Sequence, residues 1–350
     1  MKILVTGGAG FIGSNFIRHI LGTERDYTVV NYDKLTYAGN LANIEQVARN
    51  PNYTFVKGDI CDAPLLETAM RGCDAVVHFA AESHVDRSIY EPSPVIQTNI
   101  TGTFVLLEVA RKLAISRLVH ISTDEVYGDI SPDSFADENS PLQPSSPYSA
   151  SKAGADLLVR SYVRTYNFPA VITRSSNNYG PYQFPEKFVP LMITNALSDK
   201  ALPIYGDGKQ QRDWLNVEDN CRAILAVLEK GKIGEVYNIG GLDIEENLTI
   251  VRRILQLTGK PESLLSYVKD RPGHDRRYAL NCKKIEDELG WKPVISLESG
   301  LRQTIEWYEN AGQWLAGVSG GEYLSYYEKF YVNRESSLHA IASAGSMVSD

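Results

Sequence analysis

Short apolar runs recur through the first half of the chain, each bounded by polar residues or glycine. They fall at 3–6, 28–32, 53–57, 75–79, 117–121 and 170–174. Runs of this length read as buried strands. Between them lie stretches with helical spacing, the alternation that a parallel sheet requires. The first such helix runs to about Leu21. A second covers 91–112, started by Pro92 and Pro94. A third covers 148–166 and carries Ala153, Leu157, Leu158 and Tyr162 on one stripe. Such a stripe is either core or subunit interface. Two long amphipathic helices suit a homodimer joined through a four-helix bundle.

Regular alternation ends after residue 174. Asn177-Asn178-Tyr179-Gly180-Pro181-Tyr182 is rich in turn formers and lacks periodicity. Beyond it the spacing predicts a helix over 186–197, strands over 202–205 and 213–217, and a helix over 218–229. A strand over 235–239 is expected to rejoin the first sheet. Helices over 248–258, 283–289 and 298–310 follow. Residues 334–350 are rich in Ser and Ala and read as a loose tail.

The turn after the first strand gives this pattern its chemical meaning. Gly7, Gly10 and Gly13 follow a strand and open a helix, and Asp33 comes twenty residues after Gly13, just past the second strand. Glycine permits the tight turn and lets backbone approach a pyrophosphate seated on the helix N-terminus. This context defines a dinucleotide fingerprint. The expected fold is therefore α/β, a Rossmann-like doubly wound parallel sheet over 1–175. A smaller mixed α/β domain follows over 176–333. Asp33 would accept hydrogen bonds from the adenosine ribose and repel a 2′-phosphate, which favours NAD over NADP; Lys34 softens that repulsion. Asp59, in Gly58-Asp59-Ile60, fits either an adenine contact or a helix cap. Ala80 and Ala81 suit close approach of a flat cofactor. His84 fits either a substrate contact or a loop histidine satisfied locally.

Composition narrows the partners. The 350 residues carry a net charge of −8, so no global field favours nucleic acid or an anionic membrane. Cys61, Cys73, Cys221 and Cys282 show neither metal nor redox spacing, and isolated cysteines suit a reducing cytosol. No metal is expected. The chain opens on a strand at 2–5, where a signal peptide is not expected. No apolar run approaches the roughly 20 residues of a membrane helix. The expectation is a soluble cytoplasmic protein.

The reacting groups are expected at Ser122-Thr123-Asp124-Glu125 and Tyr148-Ser149-Ala150-Ser151-Lys152. Tyr148 and Lys152 are four apart and share a helix face. An ammonium one turn away favours the phenolate of a group whose ordinary pKa is near 10. Tyr148 would take an alcohol proton while hydride leaves for the cofactor, and Thr123 would orient that alcohol. Asp124 and Glu125 can face one pocket only if the chain turns at Thr123, since a continued strand points them apart. Alone, Thr-Asp-Glu reads as a helix N-cap with acids in the first turn. Beside a ketone, however, one carboxylate removes the neighbouring proton and a neutral carboxyl protonates a leaving hydroxyl. That pair eliminates water.

Several motifs carry a resemblance over 1–331: the run at 6–13, Ala-Glu-Ser-His-Val-Asp-Arg-Ser at 81–88, 122–128, 148–152 and 177–182. Phe-Pro-Glu-Lys at 184–187, Arg-Asp-Trp-Leu at 212–215 and Arg-Pro-Gly-His-Asp-Arg-Arg-Tyr at 271–278 extend it. On these the chain resembles the extended short-chain dehydrogenase/reductases, and among them the dTDP-glucose 4,6-dehydratase family. The resemblance implies a lyase with tightly bound NAD, regenerated each turnover, and dTDP-glucose as substrate, in deoxysugar formation such as that of rhamnose. It implies Asp124 as acid at C6, Glu125 as base at C5 and Tyr148 as base at C4, with Thr123 and Lys152. Cofactor contacts are expected from Gly7, Gly10, Phe11, Ile12, Gly13, Asp33, Lys34, Asp59, Ile60, Ala80, Ala81, Ser83, Asn99, Tyr148, Lys152 and Asn178. Substrate contacts are expected from Ser83, His84, Thr123, Asn177, Glu186, Lys187, Pro203, Tyr205, Arg212, Asn247, Arg271, His274 and Tyr278. Guanidinium forks suit phosphate, although Arg212 and Arg271 also fit surface ion pairs. Asn216 departs from the pattern, standing where relatives often carry an aromatic.

Two other classes fit parts of this sequence. A nucleotide-sugar 4-epimerase needs Tyr148 and Lys152 but has no use for the carboxylate pair. A non-catalytic dinucleotide sensor keeps the glycine loop and needs neither Tyr148 nor Lys152.

Overall fold

The computed structural model describes residues 1–318; the expected tail at 334–350 lies outside them. Seven strands form one parallel sheet in the order β10-β6-β5-β4-β1-β2-β3. These are β1 (Lys2–Thr6), β2 (Thr28–Asp33), β3 (Tyr53–Lys57), β4 (Ala75–His78), β5 (Arg117–Thr123), β6 (Ala170–Ser175) and β10 (Val236–Ile239). The chain starts at β1, runs out to β3, and crosses back to β4 on the other side of β1. That reversal opens a crevice at the carboxyl ends of the strands, where such folds bind ligands. Ile3, Leu4, Val5, Val76 and Val77 are fully buried, as strands covered on both faces must be. The central sheet is the doubly wound one expected, and the 235–239 run joins it beside β6.

Helices α1 (Phe11–Leu21), α2 (Ala63–Met70), α3 (Val85–Tyr90), α4 (Ser93–Val95), α5 (Thr103–Lys112) and α6 (Pro147–Tyr166) alternate with these strands. The start of α6 is tightly specified. Ser146 and Ser149 form a reciprocal capping box and Pro147 occupies the first turn, while Asn167 ends the helix in the left-handed region. This pins Tyr148 in the first turn of α6. The stripe on α6 divides: Ala153 and Tyr162 are buried, whereas Leu157 is 56% exposed.

The expected helix over 91–112 is interrupted. It starts at Ser93 and passes through a π-helical segment, Ile96–Gly102, before regular α5. The looser turn rotates Asn99 inward, where it is buried. The short α3 ahead of it has no apolar periodicity to betray it, and His84 caps it by accepting from the Arg87 N–H at 3.4 Å.

Beyond β6 lie β7 (Asn177–Tyr179), α7 (Phe188–Leu197), β8 (Leu202–Tyr205), β9 (Gln211–Asn216) and α8 (Val217–Lys230). After β10 come β11 (Ile244–Glu246), α9 (Asn247–Thr258), β12 (Leu265–Val268), α10 (Lys283–Leu289), α11 (Leu297–Asn310) and α12 (Gly312–Val318). The turn-rich 177–182 stretch begins as a strand: β7 pairs with β9, which pairs with β11. β8 pairs with β12. β8 matches the strand expected at 202–205 and β9 starts two residues before the one expected at 213–217, whereas β7, β11 and β12, of three or four residues, are too short to show a period. Helix α7 begins two residues later than expected, which leaves Glu186 and Lys187 in the loop before it. Asn216 caps α8 by accepting from the Glu218 N–H at 2.9 Å, so its departure from the pattern falls on a helix start. A separate apolar cluster, including Leu191, Ile193, Ile254 and Leu301, holds this half together.

Candidate active site

Two pockets meet above the sheet. The first follows the crevice between the β1 and β4 ends; the second lies against β8, β9 and the loop before α10. Ser83, Glu125, Asn177 and Lys187 line both, so the two ligand-sized spaces join at Glu125.

The crevice wall is built by close backbone approach. Gly7 has φ 70°, and a Cβ there would lie 2.6 Å from the Ala80 nitrogen. Only glycine fits against this backbone. Gly10, Phe11, Ile12 and Gly13 line the crevice at the α1 N-terminus. Asp33 is buried, accepting from the Ala9 N–H at 2.9 Å and the Leu35 N–H at 2.8 Å. Its remaining lone pairs suit ribose hydroxyls. Lys34 pairs with Asp59 at 2.8 Å. Asp59 also accepts from the Cys61 N–H, while Asp62 caps α2; the cap alternative for Asp59 is thereby excluded.

Ile60, Ala80, Ala81, Ser83 and Asn178 line the crevice as expected. Asn99 does not. Its amide bonds the Glu82 N–H at 2.9 Å, the Glu82 carbonyl at 3.0 Å and Ser151 at 2.8 Å, so it stands behind the wall and shapes it. Thr98, its neighbour, reaches the crevice instead. Near the β5 and β6 ends, Ser122 Oγ, Ser176 Oγ and Asn178 Oδ1 are buried with no partner among the described residues. Such orphaned groups fit the carboxamide end of a dinucleotide.

At the β5 end the chain does turn. Thr123 caps a 3-10 turn, Asp124–Tyr127, through its Oγ1 and the Glu125 N–H at 3.3 Å. The N-cap reading and the site reading are thus both satisfied by one geometry. Thr123 also hydrogen-bonds Tyr148. Lys152 donates to the Ile121 carbonyl at 2.7 Å. Burial draws Lys152 down to about 8, opposed by Asp156 one turn further along α6. Burial, and then Glu125 and Asp124, hold the Tyr148 phenol up. Burial thus outweighs the pull toward the phenolate that is expected of the Lys152 ammonium.

The adjacent carboxyls sit in different surroundings. Asp124 is 2% exposed, and its proton is held by burial, then by Glu125 and Asp213; Arg212 opposes. Burial also raises Glu125, but Arg271, Arg212 and Lys187 all oppose it. One carboxyl has two acids against a single nearby cation; the other faces three cations. Both carboxyls are raised by burial, and the charge around them differs in sign.

The second pocket presents the expected substrate residues. Arg212 bonds the Asp275 carbonyl at 2.9 Å and lies 4.2 Å over the Tyr278 ring. Arg271 pairs loosely with Asp86 at 3.5 Å and keeps its Nη1 without a partner among the described residues. Both are buried or nearly so, and neither is a surface ion pair. His274 pairs with Asp270 at 2.6 Å, Lys187 donates to the Ser83 carbonyl, and Glu186 accepts from Arg87 at 2.8 Å. His84 faces Glu186 at 3.8 Å while capping α3, so it is both pocket wall and local cap. Pro203, Tyr205, Asn177 and Asn247 complete the lining. Asp86 and Asp213 were overlooked although both lie inside the quoted motifs. Asp86 receives the Tyr205 hydroxyl at 2.9 Å, and Asp213 is buried with its pKa raised to about 7.

A dinucleotide crevice with threonine, tyrosine and lysine at the β5 end defines an extended short-chain dehydrogenase/reductase. The sequence profile of the GDP-mannose 4,6 dehydratase family matches residues 4–304. The dTDP-glucose 4,6-dehydratase of Shigella flexneri is 52% identical, over 96% of this chain and all of the relative. That of Haemophilus influenzae is 54% identical, over 88% of this chain and 98% of the relative. Among solved structures, the dTDP-glucose 4,6-dehydratase DesIV of Streptomyces venezuelae, with NAD bound, superposes at TM-score 0.89. It shares 49% identity over 91% of this chain and all of its own. A UDP-glucuronic acid 4-epimerase of Bacillus cereus reaches 0.84 at 33% identity, over 89% of this chain and 99% of its own. The chain belongs to the dTDP-glucose 4,6-dehydratase family.

Proposed function

We propose that the chain converts dTDP-glucose to dTDP-4-keto-6-deoxyglucose and water, as a step in deoxysugar synthesis. This reading rests on a division of Asp124 and Glu125 into donor and acceptor, and the observation that carries it is the contrast between the acids around Asp124 and the cations facing Glu125. A 4-epimerase has no use for that division.

Residues 1–175, with the returning strand, form the NAD-binding half; residues 176–333 supply the nucleotide-sugar half. The crevice residues hold NAD, and Arg212 and Arg271 meet the diphosphate. Bound there, NAD accepts hydride from C4, returns it to C6, and adds the positive nicotinamide charge that favours ionised Tyr148. Tyr148 removes the C4 hydroxyl proton, and Thr123 hydrogen-bonds the same oxygen. Protonated Lys152 supports the phenolate. With C4 a ketone, Glu125 removes the acidified C5 proton. Asp124 protonates the C6 hydroxyl, which leaves as water, and Glu125 then returns a proton to C5. The proton gained by Tyr148 and the one lost by Asp124 balance through solvent.

Phe104 on α5 is 46% exposed, and Leu157 and Tyr166 on α6 are 56% and 52% exposed. This apolar face supports a homodimer in which α5 and α6 of two copies form a four-helix bundle. Sedimentation at the mass of a monomer would oppose it. Four free cysteines, and the absence of a membrane-length apolar helix among the described residues, support a cytoplasmic site.

Substrate carrying deuterium at C4 tests the reaction. The product should carry that deuterium in its new methyl group, with a solvent proton at C5. Loss of the C4 deuterium to solvent contradicts the mechanism.

A further inference from the structure

Between β2 and the 3-10 segment Leu41–Val47, residues 34–40 arch over the cofactor crevice. The arch is tied to the cofactor loop at both ends. Asp33 holds its start through the Leu35 N–H at 2.8 Å and the glycine loop through the Ala9 N–H at 2.9 Å. Its far end returns to the same loop, the Asn40 N–H and the Asn43 amide both reaching the Ala9 carbonyl, at 3.0 and 2.8 Å. Leu35 takes a left-handed φ of 57°, and a turn closes from the Gly39 N–H to the Thr36 carbonyl at 3.0 Å. Thr36, Ala38 and Gly39 line the crevice.

Tyr37, at the crown, faces the other wall. Its ring lies 3.8 Å beneath the Arg87 guanidinium and meets Phe184 edge-on at 5.7 Å. Its hydroxyl donates to Glu82, whose backbone Asn99 pins. Arg87 is in turn held by Glu186 of the substrate pocket at 2.8 Å. The crown is therefore latched to the loop after β4, helix α3 and the loop before α7, a wall already tied together by Arg87–Glu186 and Lys187–Ser83.

We propose that Tyr37 is a cofactor-retention residue, latching the 34–40 arch across the crevice so that NAD stays bound from one hydride transfer to the next. The inference rests on the assignment of the crevice to NAD. The chemistry demands such a latch, because a cofactor lost after C4 oxidation would strand a sugar that only the returned hydride completes. The ring–guanidinium and ring–ring contacts supply the hold, and each is of a kind that matters most when desolvated.

The test is exchange of bound NAD in the holoenzyme. Protein loaded with isotopically labelled NAD is chased with excess unlabelled NAD, and release of label is followed. Tyr37→Ala should release it about tenfold faster than the wild type, the worth of one desolvated aromatic–cation contact. Phe184→Ala removes the opposing ring and should act in the same direction. Tyr37→Phe keeps the ring and should stay within about threefold, since only one hydrogen bond is lost. Release at the wild-type rate from Tyr37→Ala overturns the proposal; if that variant does not fold, the same result from Phe184→Ala does so. Release from Tyr37→Phe as fast as from Tyr37→Ala also overturns it, because the hydroxyl rather than the ring would then carry the hold. These rates are independent of turnover. A protein that obeys this order yet leaves dTDP-glucose unchanged keeps the latch and loses the dehydratase reading.

Discussion

Two sides of one pocket, a single residue apart in sequence, surround their carboxyls with opposite charge. Below Asp124 the site is closed: the carboxyl is buried on the sheet, Asp213 stands behind it, and Arg212 is the cation that opposes. Beyond Glu125 the site opens onto the second half, where Arg271, Arg212 and Lys187 face it. The difference teaches that the roles of identical functional groups come from what surrounds them. It also explains why the reaction needs two halves. The sheet supplies the dry, acidic side, and the mixed half supplies the cationic side.

The largest effect should come from removing what both sides depend on. Tyr148→Phe leaves neither carboxyl a ketone to act upon, and turnover should fall about 10³-fold with substrate affinity little changed. Kinetics separated into kcat and KM check this. The same step should weaken as pH rises through about 8, because Lys152 loses its proton there and with it the charge that supports the phenolate.

Changing the cationic side comes next. Arg271 opposes the upward push on Glu125, so Arg271→Gln should raise that carboxyl further. The base must be ionised to act, so the acidic limb of the rate profile should move to higher pH. On that limb, at pH values below the pKa of Glu125, a shift of one unit should cost about tenfold in rate. A profile unmoved on its acidic side would detach Arg271 from Glu125.

The smallest effect belongs to the closed side. Asp213→Asn removes one of the two acids that help Asp124 keep its proton. The pKa of Asp124 should fall, and the alkaline limb of elimination should move to lower pH by less than about one unit. The acidic limb should stay in place. Movement of the acidic limb instead would mean that Asp213 acts on Glu125.

What sequence made legible follows the same division. Gly7, Gly13 and Asp33 belong to one strand–turn–helix unit, and Tyr148 and Lys152 to one helix, so local spacing announces them. The expected substrate residues came through motif resemblance, and all but Thr123 line the second pocket. Asn99 was misplaced because a π-helical turn, invisible as a period, rotates it behind the crevice. Strand β7 was missed because its three residues are turn formers held by pairing with β9, some 35 residues away. Asp213 and Tyr37 act through neighbours distant in sequence, and no local pattern marks them. The division of Asp124 from Glu125 is likewise a property of distant side chains. Sequence suggested the pair, and the fold distinguishes its members.

The most direct test of that distinction is exchange of the substrate C5 proton with heavy water during the stalled reaction. In Asp124→Asn the hydroxyl at C6 cannot leave, but Glu125 can still remove and return the C5 proton once C4 is oxidised. The recovered 4-keto sugar, quenched and weighed by mass spectrometry, should gain deuterium at C5 and keep its oxygen at C6. In Glu125→Gln the same sugar should gain none. Deuterium entering C5 in Glu125→Gln, or failing to enter in Asp124→Asn while the 4-keto sugar accumulates, would contradict the assignment of base and acid.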